Sequence, residues 1–362
     1  MHEIYNFSAG PSMLPKSVMK KVKKEFLNWS NIGMSMLEIS HRSVDFIKIA
    51  ESSEKNLRKL LLIPRNYKIL FLHGGARGQF SAVPMNLSKN FGEEVDYINS
   101  GYWSLSAAIE SKKYCKTNII NVKKIKNNKK YILPMKNWKV KKTSSYLHYC
   151  PNETIEGISI YEEPKFKKKV VVGDFSSTIL SRFIKIKNYD LIYAGSQKNI
   201  GPPGITILII KKNLFYKANK YTPSILNYTI NYKNKSMFNT PNTFTWYISN
   251  LVFKWILKNG GVKCIEEKNI KKSKLLYRAI DKSNLYKNNI KITNRSQMNI
   301  TFNLINKSLN KKFLEESKKE GLLNLKGHNI IGGMRASIYN AMPLKGIQKL
   351  IKFMLKFEKK YG

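Results

Sequence analysis

The chain has 362 residues, 42% of them hydrophobic, which is enough for a large core and a second, smaller one and excludes a disordered protein. No apolar run reaches the roughly 20 residues of a membrane span: the longest, Ile205–Ile210, stops at Lys211-Lys212, and Met1–Phe7 lacks the parts of a secretory signal. The formal charge of +42 invites a nucleic-acid reading. Against it, the lysines run the whole length, at Lys20-Lys21, Lys123-Lys124, Lys167-Lys168-Lys169, Lys271-Lys272 and Lys359-Lys360, among many Asn, Ile and Tyr. A compositional drift that loads tolerant surface positions leaves that pattern, so no specific nucleic-acid partner is expected, only salt-sensitive adhesion to polyanions. Cys115, Cys150 and Cys264 are isolated, with neither metal-type spacing nor a disulfide framework, which reads as a reduced, cytoplasmic protein without a structural metal.

In chain order, apolar spacing predicts a helix from Pro15 or Lys16 to about Trp29, with Ser12 and Pro15 as opening residues. A second is capped by Ser43 and ended by Pro64. Strand-like and helical segments then alternate: Lys68–Leu72, a helix after Gln79, Val95–Asn99, a helix over Trp103–Tyr114, and Asn118–Val122. Lys169–Val172, Leu191–Ala194 and Ile205–Ile210 read as further buried strands, and Thr245–Lys258 as a long helix closed by Gly260-Gly261. The alternation predicts a doubly wound, mostly parallel α/β sheet. From about Val262 the texture changes to helix, strand (Met298–Leu304), helix (Leu309–Glu320), a Gly-rich turn and an amphipathic helix over Leu344–Phe357. We therefore expect an N-terminal segment (1–15), a large domain (16–261) and a smaller α+β domain (262–362).

Lys198 sits in Tyr193-Ala194-Gly195-Ser196-Gln197-Lys198-Asn199-Ile200-Gly201-Pro202, among Ser, Gln, Gly and Pro rather than in a charge run. It follows Asp174, which ends Val170-Val171-Val172-Gly173. A pyridoxal phosphate (PLP) enzyme needs one lysine to hold the aldehyde as a Schiff base and one carboxylate to keep the pyridine nitrogen protonated. Asp174 otherwise reads as a helix cap. His73-Gly74-Gly75-Ala76-Arg77-Gly78-Gln79-Phe80 links a predicted strand to a predicted helix, where backbone amides approach a phosphate; a plain tight turn is the alternative. Ligands of open α/β sheets collect at the carboxyl ends of strands, and these three segments converge there. Trp103, after Gly101-Tyr102, offers an aromatic face to a cofactor ring or fills the core. Arg42 and Arg335 stand among small or apolar residues in a chain that otherwise uses lysine. With Arg77 they suit a multiply anionic substrate, which bidentate guanidinium groups hold better than ammonium groups; surface salt bridges are the alternative.

These residues fall into a pattern that resembles the phosphoserine aminotransferase family, class V, fold-type I homodimeric PLP enzymes, over essentially the whole chain. The matching stretches are Asn6–Pro11 with Met13-Leu14-Pro15, Ser40–Ser43, His73–Phe80, Cys150–Gly157, Asp174–Ser177, Ser196–Pro202, Phe238–Thr243 and Gly332–Ala341. The resemblance implies a fold-type I PLP-transferase with a seven-stranded sheet and a smaller C-terminal domain. It implies Lys198 as Schiff base and proton shuttle, Asp174 on the pyridine nitrogen, Trp103 stacked on the ring and Thr154 beside the ring hydroxyl. Ala76, Arg77 and Gln197 would hold the cofactor phosphate, with Asn239 and Thr240 arriving from the other subunit of a homodimer. Arg335 would clamp the α-carboxylate, and His41, Arg42, Arg77 and His328 would receive the distal phosphate or carboxylate. The implied reaction passes an amino group between glutamate and 3-phosphohydroxypyruvate in serine biosynthesis, and a phosphorylated hydroxythreonine of vitamin B6 biosynthesis is a second expected product. Two departures stand out: Asn329 follows His328 where family members carry an arginine, and Ala76 stands where glycine is common. The rival readings are another fold-type I enzyme, such as an alanine–glyoxylate type transaminase or a cysteine desulfurase, and a basic nucleic-acid-binding protein on a dead enzyme scaffold. The desulfurase lacks support because no cysteine lies in a suitable Gly/Ser-rich loop.

Overall fold

A computed structural model describes residues 3–166 and 168–362; Met1, His2 and the middle of the predicted charge run, Lys167, lie outside the described residues. The chain opens with β1 (Tyr5–Asn6), α1 (Lys16–Glu25) and α2 (Val44–Leu61). There follow β2 (Tyr67–Leu72), α3 (Gly75–Leu87), β3 (Glu94–Asn99), α4 (Tyr102–Ser111) and β4 (Lys116–Asn121). A hairpin, β5 (Lys123–Lys126) and β6 (Lys129–Ile132), precedes β7 (Tyr146–Tyr149) and the short pair β8 (Asn152–Glu153) and β9 (Ile158–Ser159). Next come β10 (Val170–Asp174), β11 (Leu191–Gly195), β12 (Thr206–Lys211), α5 (Tyr228–Lys233), α6 (Thr243–Lys258) and α7 (Gly261–Asp281). The chain closes with β13 (Tyr286–Lys287), β14 (Asn299–Leu304), α8 (Asn310–Lys319), β15 (Leu322–Leu323), β16 (Met334–Ser337) and α9 (Leu344–Tyr361).

Seven strands form the central sheet in the order β2-β12-β11-β10-β7-β3-β4. Only β12 runs against its neighbours, pairing antiparallel with β11 and β2, so the sheet is mostly parallel as predicted. Apart from the half-exposed edge strand β4, its strands are largely buried on both faces, as expected where helices cover both sides. Leu70, Tyr97, Val172, Tyr193 and Leu208 pack on one side with residues of α3 and α4. Phe71, Ile98, Leu147, Ile192 and Ile209 pack on the other with α2 and α6, where Phe71 stacks on Trp246 at 4.3 Å. Tyr5 and Phe7 from the N-terminal segment join a third cluster with β14, β16 and α9, because β1 pairs in parallel with β15.

Several elements depart from the predicted boundaries. Helix α1 stops at Glu25, short of Trp29: Asn28 leaves helical geometry (φ −142°, ψ 85°), and Trp29 instead packs edge-on against Tyr247 of α6. Helix α3 begins at Gly75, ahead of Gln79, because Gly74 and Gly75 take positive φ (85° and 60°) and turn the chain straight from strand to helix. α4 begins at Tyr102 and ends at Ser111, three residues before the predicted Tyr114. The capping prediction for α2 is met: the Ser43 hydroxyl accepts the Phe46 amide at 3.2 Å.

Candidate active site

Strands β10 and β11 lie side by side, and each delivers a functional residue at or just beyond its carboxyl end. Asp174 is the last residue of β10, buried at 6% exposure, and Lys198 lies in the turn that starts at Ser196, directly after β11. The first N-terminal turn supports that second segment, since the Ser12 amide donates to the Gln197 carbonyl (3.0 Å) and the Ser12 hydroxyl to the Lys198 carbonyl (2.5 Å). A cleft of about 300 Å³ opens over these strand ends, lined by Gly74, Gly75, Ala76, Arg77, Trp103, Asn152, Thr154, Asp174, Gln197 and Lys198 among others. The three convergent segments expected from the sequence thus meet on one rim.

Within the cleft the Lys198 ammonium donates to the Thr154 hydroxyl at 2.8 Å. Burial pushes the lysine pKa down to about 8, with the Arg335 charge acting the same way and the Asp174 charge opposing both. Burial also raises the Asp174 carboxyl, while the Ser176 amide (2.9 Å to Oδ1), Lys198 and Tyr193 pull it back. A buried carboxylate of this kind calls for a cationic partner. The start of α3 contributes first-turn amides that the helix itself leaves unbonded, at the two left-handed glycines. The Arg77 guanidinium lies 5.2 Å from the Trp103 ring centroid, so one cation and one aromatic face share this wall. Arg335 sits on β16, partly buried, and its Nε has no hydrogen-bond partner among the described residues; neither has the indole Nε1 of Trp103. A lysine, a buried carboxylate, an aromatic wall, a helix N-terminus and two guanidinium groups fit the anionic, aromatic aldehyde that PLP presents.

The remaining expected residues are placed differently. His328, on the Gly-rich turn, tilts against Tyr102, the neighbour of Trp103, with ring centroids 5.7 Å apart; Asn329 beside it is exposed. His41 and Arg42 lie in the turn before α2, and Asn239 and Thr240 in the loop before α6; none of the four lines the cleft of the single chain, and Arg42, Asn239 and Thr240 are exposed.

Other residues of the site were not singled out from the sequence. Glu153 is fully buried and accepts the amides of Trp103 and Ser104, both at 2.9 Å, while Glu156 accepts that of Tyr102 at 2.8 Å. Two carboxylates therefore cap the helix that carries Trp103, and Thr154 stands between them in the chain. A glutamate three residues from another is an ordinary surface pattern, and nothing in the spacing reveals a partner helix about fifty residues upstream. Cys150 lines the cleft as well, its thiol raised by burial and so kept protonated. No helix among the described residues is long and apolar enough to cross a membrane, and no three or more of their His, Cys, Asp and Glu side chains cluster as metal ligands would.

Comparisons with known proteins bear on the family of the chain. The phosphoserine aminotransferase of Buchnera aphidicola subsp. Schizaphis graminum is 62% identical over 362 residues, all of both chains. Among solved structures, phosphoserine aminotransferase from Bacillus circulans subsp. alkalophilus superposes with a TM-score of 0.94 at 37% identity, covering 99% of each chain. A PLP-bound phosphoserine aminotransferase from Trichomonas vaginalis gives 0.91 at 35% identity, over 98% of this chain and all of that one. The family model for aminotransferase class-V matches residues 4–350, and with that match running nearly end to end the chain belongs to the class-V aminotransferase family.

Proposed function

We propose that the chain is a PLP-dependent phosphoserine aminotransferase, exchanging an amino group reversibly between glutamate and 3-phosphohydroxypyruvate to give 2-oxoglutarate and phosphoserine. The same reading includes a phosphorylated hydroxythreonine of vitamin B6 biosynthesis as a second product and a cytoplasmic enzyme. The observation that carries it is the placement of Lys198 Nζ against Thr154, in one cleft with the Asp174 carboxylate, Arg77 and the start of α3. The names of the relatives supply the substrate class.

When bound, PLP supplies the electron sink that makes a substrate Cα proton acidic. The protein's part begins with Asp174, which would keep the pyridine nitrogen protonated, and with Trp103, Thr154 and Gln197, which would fix the ring. The α3 amides at Ala76 and Arg77 would take its phosphate. Arg335 would hold the α-carboxylate, so that the Cα–H bond is presented to Lys198. That lysine, once freed by the incoming amine, would take the Cα proton as general base and return it one position away; a pKa near 8 leaves roughly a tenth of it neutral at pH 7, some hundreds of times more than an ordinary lysine. Addition of water would release the first keto acid and leave its amino group held in the site, and the second keto acid would take that group up by the reverse sequence, with loss of water.

Our reading also pairs two copies of the chain, with exposed Asn239 and Thr240 reaching the partner's cofactor phosphate, and with His41 and Arg42 beside Arg77 and His328 for the distal anion. A smaller C-terminal domain starting near Gly260 belongs to it too. The test is glutamate-dependent conversion of 3-phosphohydroxypyruvate against its unphosphorylated analogue. The phosphorylated substrate should give the higher kcat/KM by at least tenfold, about 1.4 kcal/mol; equal values for the two would overturn the phosphate assignment.

A further inference from the structure

Beneath the cleft a row of buried rings crosses the central sheet on one face. Parallel pairing sets Tyr97 on β3 beside His148 on β7, His148 beside Val172 on β10, and Asp174, two residues further along β10, beside Tyr193 on β11. Side chains at paired positions share a face, so all of these point to the same side. The rings bear this out. His148 stacks on Tyr97 at 4.6 Å and lies near-parallel to Tyr193 at 5.8 Å. His148 Nε2 and the Tyr193 hydroxyl are 2.8 Å apart, and both residues are fully buried. Asp174 is the direct cross-strand neighbour of Tyr193 on this face, and the two side chains influence each other, Tyr193 lowering the carboxyl and Asp174 raising the phenol.

The direction of this chain of contacts follows from the other imidazole nitrogen. His148 Nδ1 is buried without a hydrogen-bond partner among the described residues. An unpaired lone pair in an apolar layer costs less than an unpaired N–H, so the proton belongs on Nε2. Burial keeps the ring neutral, which leaves one proton to place. With Nε2–H donating to the Tyr193 oxygen, the Tyr193 O–H must point away from the imidazole, which leaves it free for its cross-strand neighbour Asp174.

We infer that His148 and Tyr193 are positioning residues for Asp174: Nε2–H of His148 donates to the Tyr193 hydroxyl, which in turn donates to the Asp174 carboxylate and holds it as a hydrogen-bond acceptor for the cofactor nitrogen. Nothing in this arrangement touches substrate. Its consequence is that the strength with which PLP is held depends on a histidine two strands away from Lys198. The inference rests on the PLP reading above for its ligand, but the direction of the hydrogen bonds is a property of the protein alone.

Two measurements test it. First, with only five histidines in the chain, ¹⁵N-histidine NMR of the cofactor-free protein should show His148 as the neutral Nε2–H tautomer; an Nδ1–H tautomer or an imidazolium overturns the inference whatever the cofactor does. Second, PLP affinity of the cofactor-free protein is read from quenching of tryptophan fluorescence. His148→Phe keeps the stack but removes the donor, and Tyr193→Phe removes the relay, so each should weaken PLP binding roughly 10-fold, the loss of one hydrogen bond to a charged group. The double variant should be no weaker than the singles. His148→Gln, whose amide places an N–H where Nε2 was, should recover most of the affinity. Additive losses, wild-type affinity in His148→Phe, or equal loss in His148→Gln would each overturn the relay. Failure of the wild-type protein to bind PLP would instead defeat the cofactor reading and leave the tautomer result standing.

Discussion

Lys198 is one lysine in a chain that carries 65 Lys and Arg residues, and what separates it is its surroundings. Burial lowers its pKa to about 8, with Arg335 adding to the effect and Asp174 working against it. The neutral amine is the form that attacks an aldehyde and the form that accepts a Cα proton. Cofactor-free protein mixed with PLP should therefore capture it at a rate that rises with pH and levels off above about 8. Stopped-flow absorbance across pH 6–10 checks this; a rate still climbing at pH 10, as for a surface lysine, would contradict the burial argument. The sign also holds for stability: a lysine whose folded pKa lies below its unfolded value releases a proton on folding, so Lys198 destabilises the cofactor-free fold at neutral pH, and that penalty fades as pH rises from about 8 toward its ordinary 10.5. Lys198→Met should remove that pH dependence. The importance of Lys198 was legible because Gly, Ser, Gln and Pro around it mark a loop with a purpose. Its partner Thr154 came through family resemblance, since the 2.8 Å contact joins segments 44 residues apart.

At the scale of elements, the segment over β8 and β9 does two jobs. It sets Thr154 against Lys198, and it sets Glu153 and Glu156 under the first turn of α4. There is no room for a side chain at Gly101, where a Cβ would sit 2.6 Å from Glu153 and 2.7 Å from Glu156. Trp103 is thereby tied to the same stretch that touches Lys198. Glu153→Gln would turn an amide NH₂ toward one of two backbone N–H donors, so it should lower stability by about 1–3 kcal/mol and shift Trp103 fluorescence. Glu156→Gln keeps an acceptor for Tyr102 and removes a like charge, so its urea midpoint should stay near wild type; equal losses in the two variants would show that the carboxylates are interchangeable. Burial, and then the Glu156 charge, raises Glu153 from 4.5 to about 7. Its proton is held in the folded state and released in the unfolded one across that window, so its contribution to stability is lost as pH rises from about 4.5 to 7. Glu156→Gln should flatten that slope. Helices with a cap or a clear apolar stripe were readable ahead of the structure, as Ser43 and α2 illustrate. Strand β7 was not, because Tyr146-Leu147-His148-Tyr149 buries hydroxyls and an imidazole whose partners lie on other strands or, for Tyr149, just before β11. The β5–β6 hairpin turns on Asn127-Asn128, both with positive φ, a turn signal hidden in a lysine- and asparagine-rich background.

For the molecule as a whole, the excess of 65 basic over 23 acidic side chains leaves +42 formal charges on one chain. Ion pairs are few beside that number and mostly at the surface, so they offset little of it. Two effects of opposite practical sign follow from the same field. Self-repulsion opposes the compact state, and salt relieves it, since the Debye length falls from about 30 Å at 0.01 M to about 8 Å at 0.15 M. Attraction of a phosphorylated, carboxylated substrate toward the rim of Arg77 and Arg335 is relieved by the same salt. Raising sodium chloride from about 0.01 to 0.15 M should thus raise the melting temperature while lowering kcat/KM for 3-phosphohydroxypyruvate severalfold. The unphosphorylated analogue carries fewer charges and should lose less. Melting scans and initial rates on one salt series decide the matter. Should the melting temperature fall with salt, the lysines are engaged in stabilising pairs rather than repelling one another, and the view of them as a drifted, tolerated surface would have to be given up.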